Sequence, residues 1–395
     1  MLTSLAYVML LGLALGALAR KLRLPPLVGM LAAGILLGPH GLNLLSSDLL
    51  GISADLRQVA LVIILTRAGL SLELGDLKRA GRSAVLMCFV PAACEVAGIT
   101  LLAPRLLGLA PVEAAVLGAV LGAVSPAVVV PRMLRLMEEG YGTGKGIPQT
   151  VLAGASVDDV FVIVLFSAFT GMAAGEGFSP MALAGVPAAV ALGAAAGLAL
   201  GFGLSRFFTR FHMRDSIKVI LLLAAAFLLM ALENALKGRI PFAGLLAVMG
   251  IGLGLRRWRR PAAVRLTTKF GKLWVAAEVA LFVLVGAEVD LRYAAAAGLA
   301  AVVTVLGGLC FRSAGVALCL LGSRLNRRER LFTALAYLPK ATVQAAIGGV
   351  PLAMGLGCGQ VVLTGAVIAI LITAPLGALA IDLTYKRLLR RDAER

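Results

Sequence analysis

VLAGASVDDVFVIVLF, residues Val151–Phe166, sets two aspartates side by side in an otherwise apolar run. The run is long enough to form most of a membrane crossing, and a lone carboxylate at mid-bilayer costs about 2.5–3.5 kcal/mol on insertion scales. Two neighbours also repel, so at least one must hold a proton or a cation, or face a fixed positive charge. A solvated loop pair is the bland reading, but VLAGA before the pair and VFVIVLF after it are unlike a loop. Ionisable residues inside a membrane mark ion and proton pathways. The doublet reads as the working site of a transporter.

Composition points the same way. The 395 residues are 60% hydrophobic and only 14% charged, with a mean hydropathy of +0.98. Soluble globular chains carry about 45–50% apolar residues, so the chain is an all-α polytopic membrane protein. Glycine is abundant (46 residues) and aromatics are few (6%), which suits close helix–helix approach. Cys88, Cys94, Cys310, Cys319 and Cys358 have no metal-ligand spacing and no disulfide framework, and read as small packing residues. His40 and His212 suggest no metal site either. The N-terminal stretch MLTSLAYVMLLGLALGALARKLRL keeps its charges after the apolar run and reads as a first spanning helix rather than a secretory signal.

A spanning helix needs about 20 mostly apolar residues. On that basis thirteen segments are expected, at 2–19, 25–44, 57–72, 83–107, 112–134, 148–172, 180–204, 217–236, 240–255, 271–290, 295–321, 331–355 and 360–384. Lys and Arg gather in the turns after segments 1, 3, 5, 7, 9 and 11 and in the tail, from Arg20, Lys21 and Arg23 to Lys386 and Arg395. The other side holds Arg57, Arg105, Lys237, Arg239 and Arg292. The positive-inside rule then puts the N-terminus outside and the C-terminus in the cytoplasm of a cell (inner) membrane, which needs an odd number of crossings. The net charge of +17 is therefore topology, not nucleic-acid binding. RRWRRP at Arg256–Pro261 reads as a cytoplasmic loop that could also touch anionic lipid. Residues 385–395 read as a short basic tail, and no loop is long enough to fold alone, so 1–395 is expected to be one transmembrane transporter domain.

Three basic residues remain at membrane depth: Arg67, Arg312 and Lys340. Arg67 lies near the end of its segment, where it can snorkel or pair with Glu73. Arg312, in AVVTVLGGLCFRSAGVALCLLG, and Glu95, in VLMCFVPAACEVAGITLL, are deeper. An ion pair, or a network shared with the aspartates, is the least costly way to keep them there. A Glu95–Arg312 strut with no part in transport is the structural alternative.

Lys340 sits in LFTALAYLPKATVQAAIGGVPL, where Pro339 removes a backbone donor and should break the helix. Segment 5, AVLGAVSPAVVVPRML, has a comparable interruption with Pro126 and Pro131 on either side of a β-branched run. Two interrupted segments in separate halves point to an inverted-repeat transporter site. Grouping segments 4–6 with 10–12 leaves a separation of six, which does not invert them, so the symmetry must lie in the repeat's own fold. Asp158 and Asp159 diverge by about 100° on a helix. One is expected to face a cation cavity while the other meets Arg312 or Lys340. Ser125 and freed carbonyls near Pro126 could complete an oxygen shell for Na⁺ or Li⁺. A carboxylate that holds either a proton or a cation would supply the exchange.

GASVDDV, VSPAVVVP, LFVLVGAEVDL, CFRSAGVAL and YLPKATVQAAIG resemble the monovalent cation/proton antiporters, and among them the NHA-type sodium/proton antiporters and their bacterial relatives. The resemblance covers essentially the whole chain. It implies an inverted-repeat fold with two crossing discontinuous helices, a six-helix core domain, a separate dimerisation domain, a homodimer and elevator-like alternating access. Core helices are expected at about 83–172 and 271–355, and dimerisation helices at about 1–72 and 180–255. The resemblance further implies Asp159 as the cation- and proton-binding aspartate, and Asp158 as the neighbour that pairs with a lysine in many relatives. It implies Ser125 as the hydroxyl of the first broken helix, and Glu95 with Lys340 as a further charged pair. Arg312 stands where charge-moving bacterial relatives carry that lysine. Arginine does not readily release a proton, so the resemblance leaves open whether exchange moves charge.

The expected function is exchange of Na⁺ or Li⁺ for H⁺ with no cofactor, its partners being those ions and membrane lipids, with no nucleic acid. K⁺/H⁺ exchange or Na⁺-coupled organic anion uptake on the same fold is the alternative. Intramembrane aspartyl proteolysis needs carboxylates facing each other from separate elements. Neighbours on one helix diverge, so an enzyme is not expected. The buried counter-charges also fit stepwise exchange better than an open channel.

Overall fold

The computed structural model describes residues 1–71, 81–176, 180–236, 240 and 242–391, and among them the regular elements are helical. The first half holds α1 (Leu2–Lys21), α2 (Pro26–Leu37), α3 (Ser47–Gly51), α4 (Ser53–Ser71), α5 (Gly81–Met87) and α6 (Val90–Leu107). After these come α7 (Pro111–Leu121), α8 (Pro126–Glu138), α9 (Ile147–Gly171) and α10 (Pro180–Arg210). The second half holds α11 (Asp215–Leu236), α12 (Gly244–Trp258), α13 (Arg260–Ala287) and α14 (Leu291–Cys319). Last come α15 (Arg327–Ala336), α16 (Thr342–Ile347), α17 (Val350–Ala353) and α18 (Gly359–Leu388).

Among the described residues, nine helical stretches are long and apolar enough to cross a membrane, including the runs 81–107 and 111–138. The other expected segments fall on α2, α4, α12 and α15–α17, which are short, interrupted or, in α4, charged by Asp55, Arg57 and Arg67. Arg57 is buried and pairs with Glu288 at 2.8 Å. Glu73, Lys78, Arg79, Lys237 and Arg239 lie outside the described residues.

Three expectations are corrected. The basic stretch from Arg256 to Lys272 is not a loop: α12 runs to Trp258 and α13 starts at Arg260. Arg and Lys are good helix formers, and Pro261 sits in the first turn, where a missing N–H leaves no bond unmade. Pro131 does not flank an interruption but lies inside α8, and the break precedes Pro126. Packing also differs by one helix from the expected grouping. Helix α13, expected with the core at 271–290, lies along α1, α2 and α4, whereas α18 packs on α14, α15 and α7.

Two packed groups result. One holds α1, α2, α4 and α10–α13, and the other α5–α9 and α14–α18. In the second group, segments 4–6 meet segments 11–13 of the thirteen-segment reading.

The densest packing within the first group joins α10 to α12. Gly193, Gly197 and Gly201 recur every fourth residue on α10 and lie against the backbone of Ala243, Ala247 and Ile251. A Cβ on Gly197 would stand 2.2 Å from the Ala247 carbonyl oxygen, so the two backbones touch only because the side chain is missing. Gly197→Val should lower stability by about 1–3 kcal/mol. Gly203→Val, where nothing lies within 4 Å, should be nearly neutral. Thermal unfolding of the detergent-purified variants checks this, and equal losses in both would refute the packing argument.

Candidate functional site

The site is built where two helices are interrupted. Helix α7 ends at Leu121 and the chain is unwound over Gly122–Ser125 before Pro126 opens α8. Helix α15 ends at Ala336 and the chain is unwound over Tyr337–Ala341 before α16. Proline at the first position of α8 has no donor to lose, while Pro339 prevents α15 from running on. The two interruptions touch, with the Ser125 N–H donating to the Pro339 carbonyl at 2.7 Å.

Unwound backbone away from water must find partners. Here side chains supply them. The Gln344 amide donates to the carbonyls of Val120 (3.1 Å) and Ala123 (3.0 Å). Lys340 Nζ donates to the Leu121 carbonyl, and Arg312 Nη1 to that of Gly122. Arg312 Nε donates to the Tyr337 carbonyl at 2.7 Å, and the Lys340 N–H to the Thr373 hydroxyl at 2.9 Å. Two cations thus meet the carboxyl end of α7, where the helix dipole is negative.

Glu95, Asp158, Arg312 and Lys340 are each 0% exposed. Glu95 Oε2 lies 2.8 Å from Arg312 Nη1, and Lys340 Nζ is 2.7 Å from Glu95 Oε1. Asp158 Oδ2 lies 2.6 Å from Arg312 Nη2 and accepts the Val124 N–H at 2.9 Å. Sequence left either cation as the partner of Asp158, and the geometry gives it to Arg312. The Tyr337 ring lies beside the same guanidinium, 5.1 Å from its centre. Its hydroxyl donates to the Met87 carbonyl at 3.0 Å, at the break between α5 and α6.

Two cations and two carboxylates pair off, which leaves Asp159. It is half-buried. Its Oδ1 is shielded and accepts no hydrogen bond among the described residues, and the same holds for Asp158 Oδ1 and Ser125 Oγ. Asp158 and Ser125 are both held at the α7–α8 interruption, and Asp159 follows in the chain. Hard oxygen donors of this kind suit Na⁺ or Li⁺. An ionised Asp159 gives the cluster one uncompensated negative charge, which a proton or a monovalent cation can neutralise.

All six expected residues therefore fall in or beside one charged centre. Gln344, Tyr337 and Thr373 were not singled out as functional. Gln344 had a signal, as an amide inside the otherwise apolar TVQAAIGG. Thr373 had none, because a threonine within a long helix commonly bonds its own backbone.

A bundle of apolar helices whose buried charges meet at two helix interruptions defines an ion transporter of the monovalent cation/proton antiporter class. The family model described as "Sodium/hydrogen exchanger, transmembrane" matches residues 7–386. Sodium/hydrogen exchanger 9B2 of Mus musculus is 36% identical over 390 residues, covering 94% of this chain and 70% of that protein. The Homo sapiens protein of the same name is 35% identical over 395 residues, covering 93% and 70%. The sodium proton antiporter MjNhaP1 from Methanocaldococcus jannaschii has the same fold, with a TM-score of 0.85 over 98% of both chains at 21% identity. The chain belongs to the sodium/hydrogen exchanger family, whose members are transporters and not enzymes.

Removing Arg312 should cost more than any surface change. Arg312→Ala leaves Asp158 without its cation, takes one of two from Glu95, and strips donors from two carbonyls. Breaking a buried pair from one side costs about 3–5 kcal/mol. A marked fall in unfolding temperature is expected in detergent, and an unchanged one would mean the network is not load-sharing.

Proposed function

We propose that the chain exchanges Na⁺ or Li⁺ for H⁺ by alternating access, with Asp159 binding the two in competition. The observation that carries this reading is the charge arithmetic of the site. Glu95, Asp158, Arg312 and Lys340 neutralise one another in pairs, and Asp159 is the carboxylate left over. Either ligand brings the centre to the same net charge. The empty site keeps one uncompensated charge, whose desolvation opposes movement without cargo. Coupling follows from that asymmetry.

The cation would be held by Asp159, the second oxygen of Asp158 and the Ser125 hydroxyl, aided by carbonyls of the α7–α8 interruption. Asp158 stays ionised beside Arg312, which does not give up its proton. Glu95 and Lys340 fix the end of α7 and take no part in the exchange. One proton then leaves for each monovalent cation that binds. The exchange is electroneutral.

The same reading takes the chain as thirteen crossings of a cell (inner) membrane, with the N-terminus outside and the two interrupted helices crossing each other. Helices α5–α9 with α14–α18 form the moving core, and the remaining helices form a scaffold through which two copies pair. The packing division and the one-sided distribution of Lys and Arg support it. The names of the relatives, sodium/hydrogen exchangers and a sodium proton antiporter, support the choice of ions.

Proteoliposomes loaded with a pH-sensitive dye should respond to added Na⁺ or Li⁺, and Asp159→Asn should reduce the response to the protein-free level. Retention of the signal in that variant would move the binding carboxylate elsewhere. An equal or larger response to K⁺ would overturn the cation assignment. On a solid-supported membrane, a Na⁺ jump should give no sustained transport current at either of two pH values. A steady current would mean that a second group exchanges protons.

A further inference from the structure

At one end of the second helix group, the start of α15 and the end of α18, with the residues that adjoin them, border a half-open cavity of about 320 Å³. Arg327 and Arg328 line one side of it, and Arg387 and Arg390 the other. The two pairs come from separate parts of the chain, so neighbouring positions in sequence did not put them together. A basic surface that only obeys the positive-inside rule has no reason to converge, because like charges in a concavity repel.

The nearby carboxylates among the described residues do not relieve that repulsion. Glu329, two residues into α15, is buried and takes Lys145 Nζ at 2.8 Å and the Asn326 N–H at 2.8 Å. Asp382 on α18 is shared by Arg132 and Arg135, at 3.2 Å each. Glu139 accepts the Tyr385 hydroxyl at 3.0 Å. Among the described residues, no ion pair engages Arg327, Arg328, Arg387 or Arg390. Arg330, the remaining arginine of this turn, is folded back onto the carbonyls of Leu325 and Ser323.

We propose that this cavity is a binding site for a phosphate-bearing polyanion, held by forked guanidinium contacts. Arginine presents paired donors that match phosphate oxygens, and the amino end of α15 adds a favourable dipole. The anion has at least two negative charges, since one leaves most of the cluster uncompensated. A lipid headgroup such as that of a diphosphatidyl lipid and a soluble polyphosphate share this chemistry. Binding ties α15 to α18. The first runs directly into the unwound segment that carries Lys340, and the second carries Thr373, the acceptor of the Lys340 N–H.

The test uses the full chain purified in detergent. Its unfolding temperature is followed against pyrophosphate and, separately, against cardiolipin added to phosphatidylcholine micelles. A saturable rise with either probe is expected, with apparent affinity about tenfold or more weaker in the double variant Arg328→Gln/Arg390→Gln. Removing two mutually repelling charges should not impair folding, and the probe-free unfolding temperature of the variant checks that. A control, Arg257→Gln/Arg324→Gln, removes two basic residues outside the cavity and should respond like the parent. A response to pyrophosphate assigns a soluble ligand, and a response to cardiolipin alone assigns a lipid. No saturable rise with either probe overturns the proposal, as does equal weakening in the control, which would mean general charge screening.

Discussion

A guanidinium sealed from water has five N–H donors to satisfy, and Arg312 sets the terms for the whole centre. Its hydrogen bonds reach Glu95 on α6, the Gly122 carbonyl at the end of α7, Asp158 on α9 and the Tyr337 carbonyl after α15. One side chain therefore ties four elements, two of them interrupted, to a fifth. A lysine at this position could offer three donors from a single point, and could not span carbonyls on opposite sides of the cluster. Burying four ionised groups is not a route to extra stability by itself, since desolvation commonly offsets the attraction. What the network supplies is a fixed register for the broken helices.

That register explains why unwinding is tolerated. Four successive carbonyls, from Val120 to Ala123, would lack partners once the helix stops. Gln344, Lys340 and Arg312 cover them, and all three come from the second half of the chain. The reciprocal contact runs from the Ser125 N–H to the Pro339 carbonyl. Each interruption is thus completed by the other, and neither could form at membrane depth alone. Pairing between the two interruptions is what makes the two halves of the chain mutually dependent.

The centre was largely legible from sequence, because a charge in a long apolar run is conspicuous. Glu95, Asp158, Asp159, Arg312 and Lys340 could all be found that way, and Pro339 marked one interruption. Hydropathy could not say which cation meets which carboxylate, since that depends on side-chain geometry between α9 and α14. The expected core bounds also took in α13 and left α18 unassigned, because apolar length identifies a span but carries no information about its neighbour. RRWRRP read as loop because charge was taken for exposure, although Arg and Lys continue a helix readily. The arginine cavity was invisible for a different reason. Its two sides lie at the ends of two separate helices, and only the packing of α15 on α18 brings them together.

The doublet at residues 158 and 159 is where these constraints meet. Helical geometry turns adjacent side chains about 100° apart, so a second aspartate cannot simply duplicate the first. Asp158 is fully buried, locked by Arg312 and the Val124 N–H. Fixing it also fixes the direction of its neighbour. Asp159 is then half-buried and without a donor on Oδ1, held by the backbone of a helix that the network has already positioned. Two consecutive aspartates therefore take different parts in the packing: the first joins the network, and the second inherits its position while pairing with no cation among the described residues.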